Sequence, residues 1–243
     1  MTKNKASMNK SQPPIAYTKT KFEDMNGKRR MSTRKITSLA LLSALAAFFY
    51  FLESVIPFMP PFLKLDISEI PVLLGAFAFG PGSAVIIELI KNLIHLPFTQ
   101  TAGVGELANF LAGSVFAGTA GLIYHFIKNK KGAIISMAAG TIAMTVFTSL
   151  FNYYFLLDFY AKFYGMSMTD IIAMTSAVNI YVKDIYSMIV FAFIPFNLFK
   201  GLVVSLLTAF IYKRVSPLLH GKKRTPMPIP LENDAENKND TND

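Results

Sequence analysis

Cysteine and tryptophan are absent from the 243-residue chain, histidine occurs three times, and only 16% of residues are charged. Without cysteine, disulfide scaffolds, thiolate metal centres, iron–sulfur clusters and cysteine nucleophiles are excluded. His95, His125 and His220 stand too far apart to suggest a zinc site, so no metal is expected. Signature motifs are missing too. No Gly-x-x-x-x-Gly-Lys segment is present, so the chain carries no P-loop of its own for ATP. No His-Glu-x-x-His, Gly-x-Ser-x-Gly or close carboxylate pair points to an intramembrane hydrolase. The sequence offers no catalytic residue and does not read as an enzyme.

What is present is apolar. Hydrophobic residues make up 52% of the chain, mean hydropathy is +0.40, and an ordinary soluble domain carries roughly 25% charged residues. The net charge of +9 invites a nucleic-acid reading, but it is concentrated at one end. Residues 1–35 hold ten Lys/Arg and two acids, residues 36–213 hold nine bases and eight acids, and residues 214–243 hold five of each. The remainder is too apolar to be a soluble nucleic-acid partner, so none is expected and a lipid bilayer is.

Six spans are expected: 36–56, 68–80, 82–96, 105–127, 133–157 and 185–212. The first follows 35 polar residues and is succeeded by further apolar runs, so it reads as a retained span rather than a signal peptide. The second and third fall short of the roughly 20 residues a straight helix needs to cross a bilayer, which suggests a cavity or an irregular packed interior. Loop charge tests the topology independently. With both termini cytoplasmic, nineteen Lys/Arg lie inside and only Lys64, Lys162 and Lys183 lie outside, as the positive-inside rule requires. The expected fold class is all-α, six transmembrane helices in one bundle spanning 34–215. A disordered basic arm over 1–33 and a disordered Asn/Asp/Glu/Pro-rich tail over 216–243 flank it.

Ionisable groups inside spans mark function by default, because hydrocarbon penalises them. Glu88 and Lys91, three residues apart with Asn92 beside them, form either a structural ion pair or a coupling-ion site. Glu106 either complements the dipole of the fourth helix or faces a pocket. Lys200 lies deep in the last span with no acid within a helical turn, so a polar cavity or a ligand acceptor is expected beside it. A proline-rich loop over 57–66 delivers Leu65 and Asp66 to the second helix, with Ser68 as its expected cap. Eight aromatics crowd residues 151–164. An interfacial belt accounts for most of them but not for Asn152, an amide among ring faces suited to a flat heterocycle. Ala40, Ser43, Ala44 and Ala47 fall at i, i+3, i+4 and i+7, and Gly113, Ala117 and Gly121 repeat every fourth residue. Such small-residue stripes allow close helix approach, within the bundle or to a separate membrane subunit.

Three blocks together carry a resemblance: FLKLDISEIPVLLGAFAFGP at 62–81, ELIKNL at 88–93 and GELANFL at 105–111. The segment 34–215 resembles the substrate-binding S components of energy-coupling factor (ECF) vitamin transporters, most closely the riboflavin-specific members. The resemblance implies a multi-pass protein of a bacterial-type plasma membrane that captures riboflavin from outside, with flavin mononucleotide (FMN) as a second ligand candidate. It implies a transmembrane T subunit and two ABC-type ATPases as partners, with riboflavin as cargo and no cofactor. Carried onto this sequence, Ala40, Ser43, Ala44 and Ala47 would form the T-subunit docking face. Leu65, Asp66, Asn152 and Lys200 would hold the flavin, with Glu106 and Asn109 as further ligand candidates. The loop 158–184 is longer than the family pattern leads one to expect. The competing expectation is a stand-alone ion-coupled secondary transporter of a small heterocyclic solute, using Glu88, Lys91 or Lys200.

Overall fold

The computed structural model describes residues 32–57, 59–60 and 62–219, with side chains described as far as Tyr212. Long Leu/Ala/Ile/Phe runs leave each segment to satisfy its own backbone hydrogen bonds, and helices dominate accordingly. They are α1 (Thr33–Tyr50), α2 (Glu69–Phe79), α3 (Pro81–His95), α4 (Val104–Phe126), α5 (Lys130–Phe151), α6 (Leu157–Tyr164), α7 (Met168–Ser176), α8 (Ile185–Met188) and α9 (Ile194–Leu219). Between α1 and α2, β1 (Ser54–Val55) pairs antiparallel with β2 (Lys64–Leu65), Ser54 opposite Leu65. Among the described residues, three helical stretches are long and apolar enough to cross a membrane by length and composition: Val104–Phe126, Lys130–Tyr164 and Ile185–Tyr212.

The burial pattern is that of a membrane protein turned polar side in. Glu69, Glu88, Lys91, Asn92 and Lys200 are buried, while Leu41, Leu93, Ile142, Leu206 and Phe210 are exposed. In water this arrangement would be strongly unfavourable, whereas in lipid it places each charge among partners and each large aliphatic against hydrocarbon.

Helices α2 and α3 are short, at 11 and 15 residues, as the sequence leads one to expect. Their joint is Gly80, at φ +93° in a region that favours glycine, followed by Pro81 at the first helical position, where its missing N–H costs nothing. Helix α4 packs between α3 and α5, α9 lies on α5, and α1 lies on α3. The expected small-residue positions in α4 are used inside the chain: Gly113 faces the Glu88 carboxylate, and Gly121 approaches Ala76 and Pro81. At the α4–α5 crossing stands Gly140, where a Cβ would meet the Phe116 carbonyl oxygen at 2.6 Å. Gly140→Ala is therefore expected to cost about 1–3 kcal/mol by forcing α4 and α5 apart. Thermal unfolding in detergent reads this, and an unchanged midpoint would mean the helices are not that close.

Several expectations need correction. The first span ends as a helix at Tyr50, and the residues to 56 belong to the β1 connection. The segment 158–184 is no simple loop. Asn152–Leu156 is a π-helical turn that carries α5 directly into α6, and α7 comes after Gly165 in the left-handed conformation. Ser167 and Asp170 close a capping box at the start of α7, and their hydrogen bonds hold the Asp170 carboxyl below its usual range. A second π-turn, Ile189–Phe193, joins α8 to α9. The arm 1–33 and tail 216–243 lie almost wholly outside the described residues, although α1 starts at Thr33 and α9 runs to Leu219. His220 also lies outside them.

The α1 stripe divides. Ala40 and Ala44 are exposed, but Ser43 and Ala47 are buried within the chain. Ser43 and Ala47 therefore cannot belong to an outward docking face. An eighteen-residue helix resting on α2 and α3 must spend part of any small-residue stripe on those neighbours.

Candidate ligand site

A cavity of about 760 Å³ opens between the hairpin connection, the C-terminal end of α3, the start of α4, the π-turn after α5, α6, α7 and α9. Its wall mixes rings and apolar groups (Tyr50, Phe62, Phe98, Tyr160, Phe193, Phe196) with a small set of polar ones. That composition and size are typical of small-molecule sites. Both π-turns border it: Asn152 begins one, Phe193 ends the other. Such bulges add a residue per turn and shift the register of the side chains after them; Asn152 at the start of the first turn, and Phe196 and Lys200 beyond the second, line the cavity.

One polar feature of the lining is an ion pair. Lys200 Nζ lies 2.7 Å from Asp66 Oδ2, both residues buried, across 134 positions of sequence. Lys200 is therefore not the unpaired lysine that its own helix suggests, because its acid arrives from the connection before α2. Asn109 Nδ2 donates to the same Asp66 oxygen at 3.2 Å. The Ser68 amide donates to Asp66 Oδ1 at 3.0 Å, and the Ser68 hydroxyl donates to that oxygen as well. Ser68 is thus not a side-chain cap of α2; its hydroxyl is engaged with Asp66. Burial pushes the Asp66 carboxyl up, but the charges of Lys200 and Lys91 and the Lys200 and Ser68 hydrogen bonds reverse this. The group is held well below the usual carboxylate range.

Two amide oxygens on this wall have no partner. Asn152 donates through Nδ2 to the Thr148 carbonyl at 2.6 Å, and its Oδ1 is buried and unsatisfied. Asn109 Oδ1 is likewise buried and unsatisfied. A buried acceptor left empty is costly, which suits a site completed by a ligand donor. Lys200 adds an ammonium whose other protons remain for acceptors.

The outer part of the cavity is differently built. Glu106 accepts from Thr99 at 2.8 Å and Thr101 at 3.4 Å and pairs with His95 Nδ1 at 2.9 Å. It lines the cavity, and its carboxylate is engaged by these side chains rather than by amides of α4. His95 stacks on Tyr50 at 4.0 Å between ring centroids. Lys64 pairs with Glu53 across the hairpin, and the Tyr164 hydroxyl donates to the Gln100 carbonyl at 2.8 Å, tying α6 to the α3–α4 connection.

Of the expected ligand residues, Asp66, Glu106, Asn109, Asn152 and Lys200 all line this one cavity. Leu65 does not: it sits in β2, its backbone register fixed by Ser54, outside the cavity lining. Sequence reasoning missed Asn197, which lines the cavity and donates to the Phe193 carbonyl at 2.8 Å. Its position three residues before Lys200 places it on the same helix face and was the available signal. His95, Gln100 and Thr148 were also missed. The aromatic stretch 151–164 divides as its helical period dictates: Phe155, Phe159 and Phe163 face outward, while Tyr160 and Tyr164 face the cavity.

Glu88 and Lys91 lie behind this wall. Lys91 sits 2.8 Å from Glu69 and 3.0 Å from Glu88, all three fully buried. The ion pair expected from sequence is present, with Glu69 of α2 as a third member.

Polar-in helices around a ring-lined cavity with unsatisfied amides define a helical membrane protein built to hold a small, partly polar solute. Comparison with known proteins places it more closely. The sequence profile described as "ECF transporter, substrate-specific component" matches residues 34–212, and the chain belongs to that family. It is 37% identical over 198 residues to the riboflavin transporter RibU of Staphylococcus aureus (strain TCH60), covering 80% of this chain and 98% of that one. To the riboflavin transporter FmnP of Bacillus subtilis (strain 168) it is 28% identical, covering 79% and 97%. A solved structure described as "Structure and mechanism of the S component of a bacterial ECF transporter" aligns with a TM-score of 0.59 at 35% identity. It covers 76% of this chain and 97% of that one. The family is a transport component, not an enzyme.

Proposed function

We propose that this protein is the riboflavin-binding S subunit of an ATP-driven ECF importer. Two buried, unsatisfied amide oxygens beside an ammonium, in a cavity walled by Phe and Tyr, carry the reading. The pyrimidine edge of isoalloxazine alternates carbonyl acceptors with an N–H donor. Asn152 Oδ1 supplies the acceptor for that N–H, Lys200 donates to a flanking carbonyl, and Asn109 and Asn197 extend the polar strip. The dimethylbenzene end packs against the rings, and stacking falls to Phe and Tyr because the chain has no Trp. Asp66 orients Lys200, and Glu106 serves the outer, hydroxylated end of the ligand. FMN is the second ligand of this class. The similarity to named riboflavin transporters supports this choice of solute.

The same reading gives the unit 34–215 six spans in a bacterial-type plasma membrane, with both termini cytoplasmic, supported by the nineteen-to-three loop charge split. Energy comes from a T subunit and two ABC-type ATPases, and Ala40 and Ala44, exposed on α1, are the T-subunit docking positions. Independent ion-coupled transport finds less support, because Lys91 is locked between Glu69 and Glu88 away from the cavity wall. Asn152→Ala removes the acceptor, and a buried hydrogen bond of this kind is worth about 1–2 kcal/mol. Riboflavin binding, followed by quenching of flavin fluorescence, is expected to weaken by roughly tenfold. Unchanged affinity would place the heterocycle elsewhere.

A further inference from the structure

A continuous buried chain of contacts starts behind the cavity wall and ends on polar groups that line it. Lys91 Nζ, held at 2.8 Å by Glu69 and 3.0 Å by Glu88, donates to the Ser68 hydroxyl at 2.8 Å. That hydroxyl donates in turn to Asp66 Oδ1, and Asp66 Oδ2 receives Lys200 and Asn109. Four helices meet in it: α2 through Glu69, α3 through Glu88 and Lys91, α4 through Asn109 and α9 through Lys200. Ser68 is 0% exposed and absent from the cavity lining, and so is Lys91.

A hydroxyl has one proton and two lone pairs. Lys91 donates to one lone pair of Ser68, and the Ser68 proton goes to the carboxylate oxygen in reach, Asp66 Oδ1. Asp66 then holds both oxygens in fixed roles, one toward Ser68 and one toward Lys200 and Asn109. Lys200 is thereby aimed with its remaining protons to the cavity, and the Asn109 amide is turned with its oxygen, not its nitrogen, free.

We infer that Ser68, oriented by Lys91, is a positioning residue for the ligand site: it fixes Asp66, and through Asp66 it presets Lys200 and Asn109 for the heterocycle. The inference rests on the riboflavin reading above but adds residues that never contact the ligand. It also accounts for the position of the Glu69–Lys91–Glu88 cluster, which anchors the far end of the relay. The groups facing Asp66 are Lys200 from α9, Lys91 from α3, Asn109 from α4 and Tyr50 from α1, with Ser68 on its own side. Hydrogen bonding from Ser68 is among the causes that hold the Asp66 carboxyl below its usual range.

Ser68→Ala removes the hydroxyl while leaving the Lys91 ion pairs in place. Riboflavin affinity measured by fluorescence quenching is expected to fall about tenfold near neutral pH. The second readout is rescue by a conservative variant. Ser68→Thr, which restores a hydroxyl, is expected to recover the lost affinity. A merely structural role for Ser68 would lower the thermal midpoint without weakening riboflavin binding. If Ser68→Ala does not accumulate, Ser68→Cys keeps the volume with a weaker donor and is expected to show the same loss of affinity. Riboflavin binding by the unmodified chain with Ser68→Ala and Ser68→Cys matching it would overturn the relay. Absence of binding in the unmodified chain would instead overturn the riboflavin reading.

Discussion

Lys91→Met is expected to destabilise the protein by about 3–5 kcal/mol, the usual cost of leaving a buried charge uncompensated. For a chain of this size that corresponds to a fall of about 10 °C or more in the thermal midpoint. The reason lies in what remains. Glu69 and Glu88 are fully buried, and Lys91 is the cation within 3.0 Å of both. Without it, two carboxylates face one another in the apolar interior, next to Gly113, whose missing side chain makes room for Glu88. Circular dichroism of detergent-solubilised protein during heating measures the change. Adding Glu69→Gln and Glu88→Gln to Lys91→Met removes the stranded charges and is expected to recover most of the loss, since neutral isosteres avoid the desolvation penalty. A wild-type midpoint for Lys91→Met alone would mean the cluster is open to water.

Lys200→Met is expected to weaken riboflavin binding by about a hundredfold. One loss is direct: the ammonium donor to the flavin carbonyl, worth about 1.5–3 kcal/mol for a charged group. A second is indirect, because Asp66 keeps its charge, loses its 2.7 Å partner and no longer orients Asn109. The two losses separate in a double variant. Combining Lys200→Met with Asp66→Asn removes the stranded carboxylate, so thermal stability returns while ligand affinity stays low. Recovery of affinity in the double variant would show that Lys200 serves Asp66 alone and never touches the ligand.

How much of this arrangement is legible in the sequence depends on the range of each interaction. Helix location is legible because apolar runs and charge clusters are local. The shortness of α2 and α3 is legible from where Gly80 and Pro81 fall. Asn152 and Lys200 stand out because a polar residue in an apolar run has few explanations. Partners are not legible. Asp66 reaches Lys200 across 134 residues, and no local pattern encodes that pairing. Glu69 joins Lys91 only because α2 and α3 fold back at the Gly80 joint, and His95 meets Glu106 only through the connection from 96 to 103. The π-turns at 152–156 and 189–193 are single extra residues in otherwise regular helices. Helical periodicity averages them away, yet both border the cavity. The stripe on α1 is legible as small residues, while its division between inward Ser43 and Ala47 and outward Ala40 and Ala44 depends on where α2 and α3 pack.

The most direct test is a riboflavin titration of the purified chain alone in detergent, without any ATPase or T subunit. The expected result is saturable quenching of flavin fluorescence at one riboflavin per chain, with a yellow protein once flavin is bound. A colourless protein that leaves flavin fluorescence unquenched would contradict the assignment of this cavity as a riboflavin site.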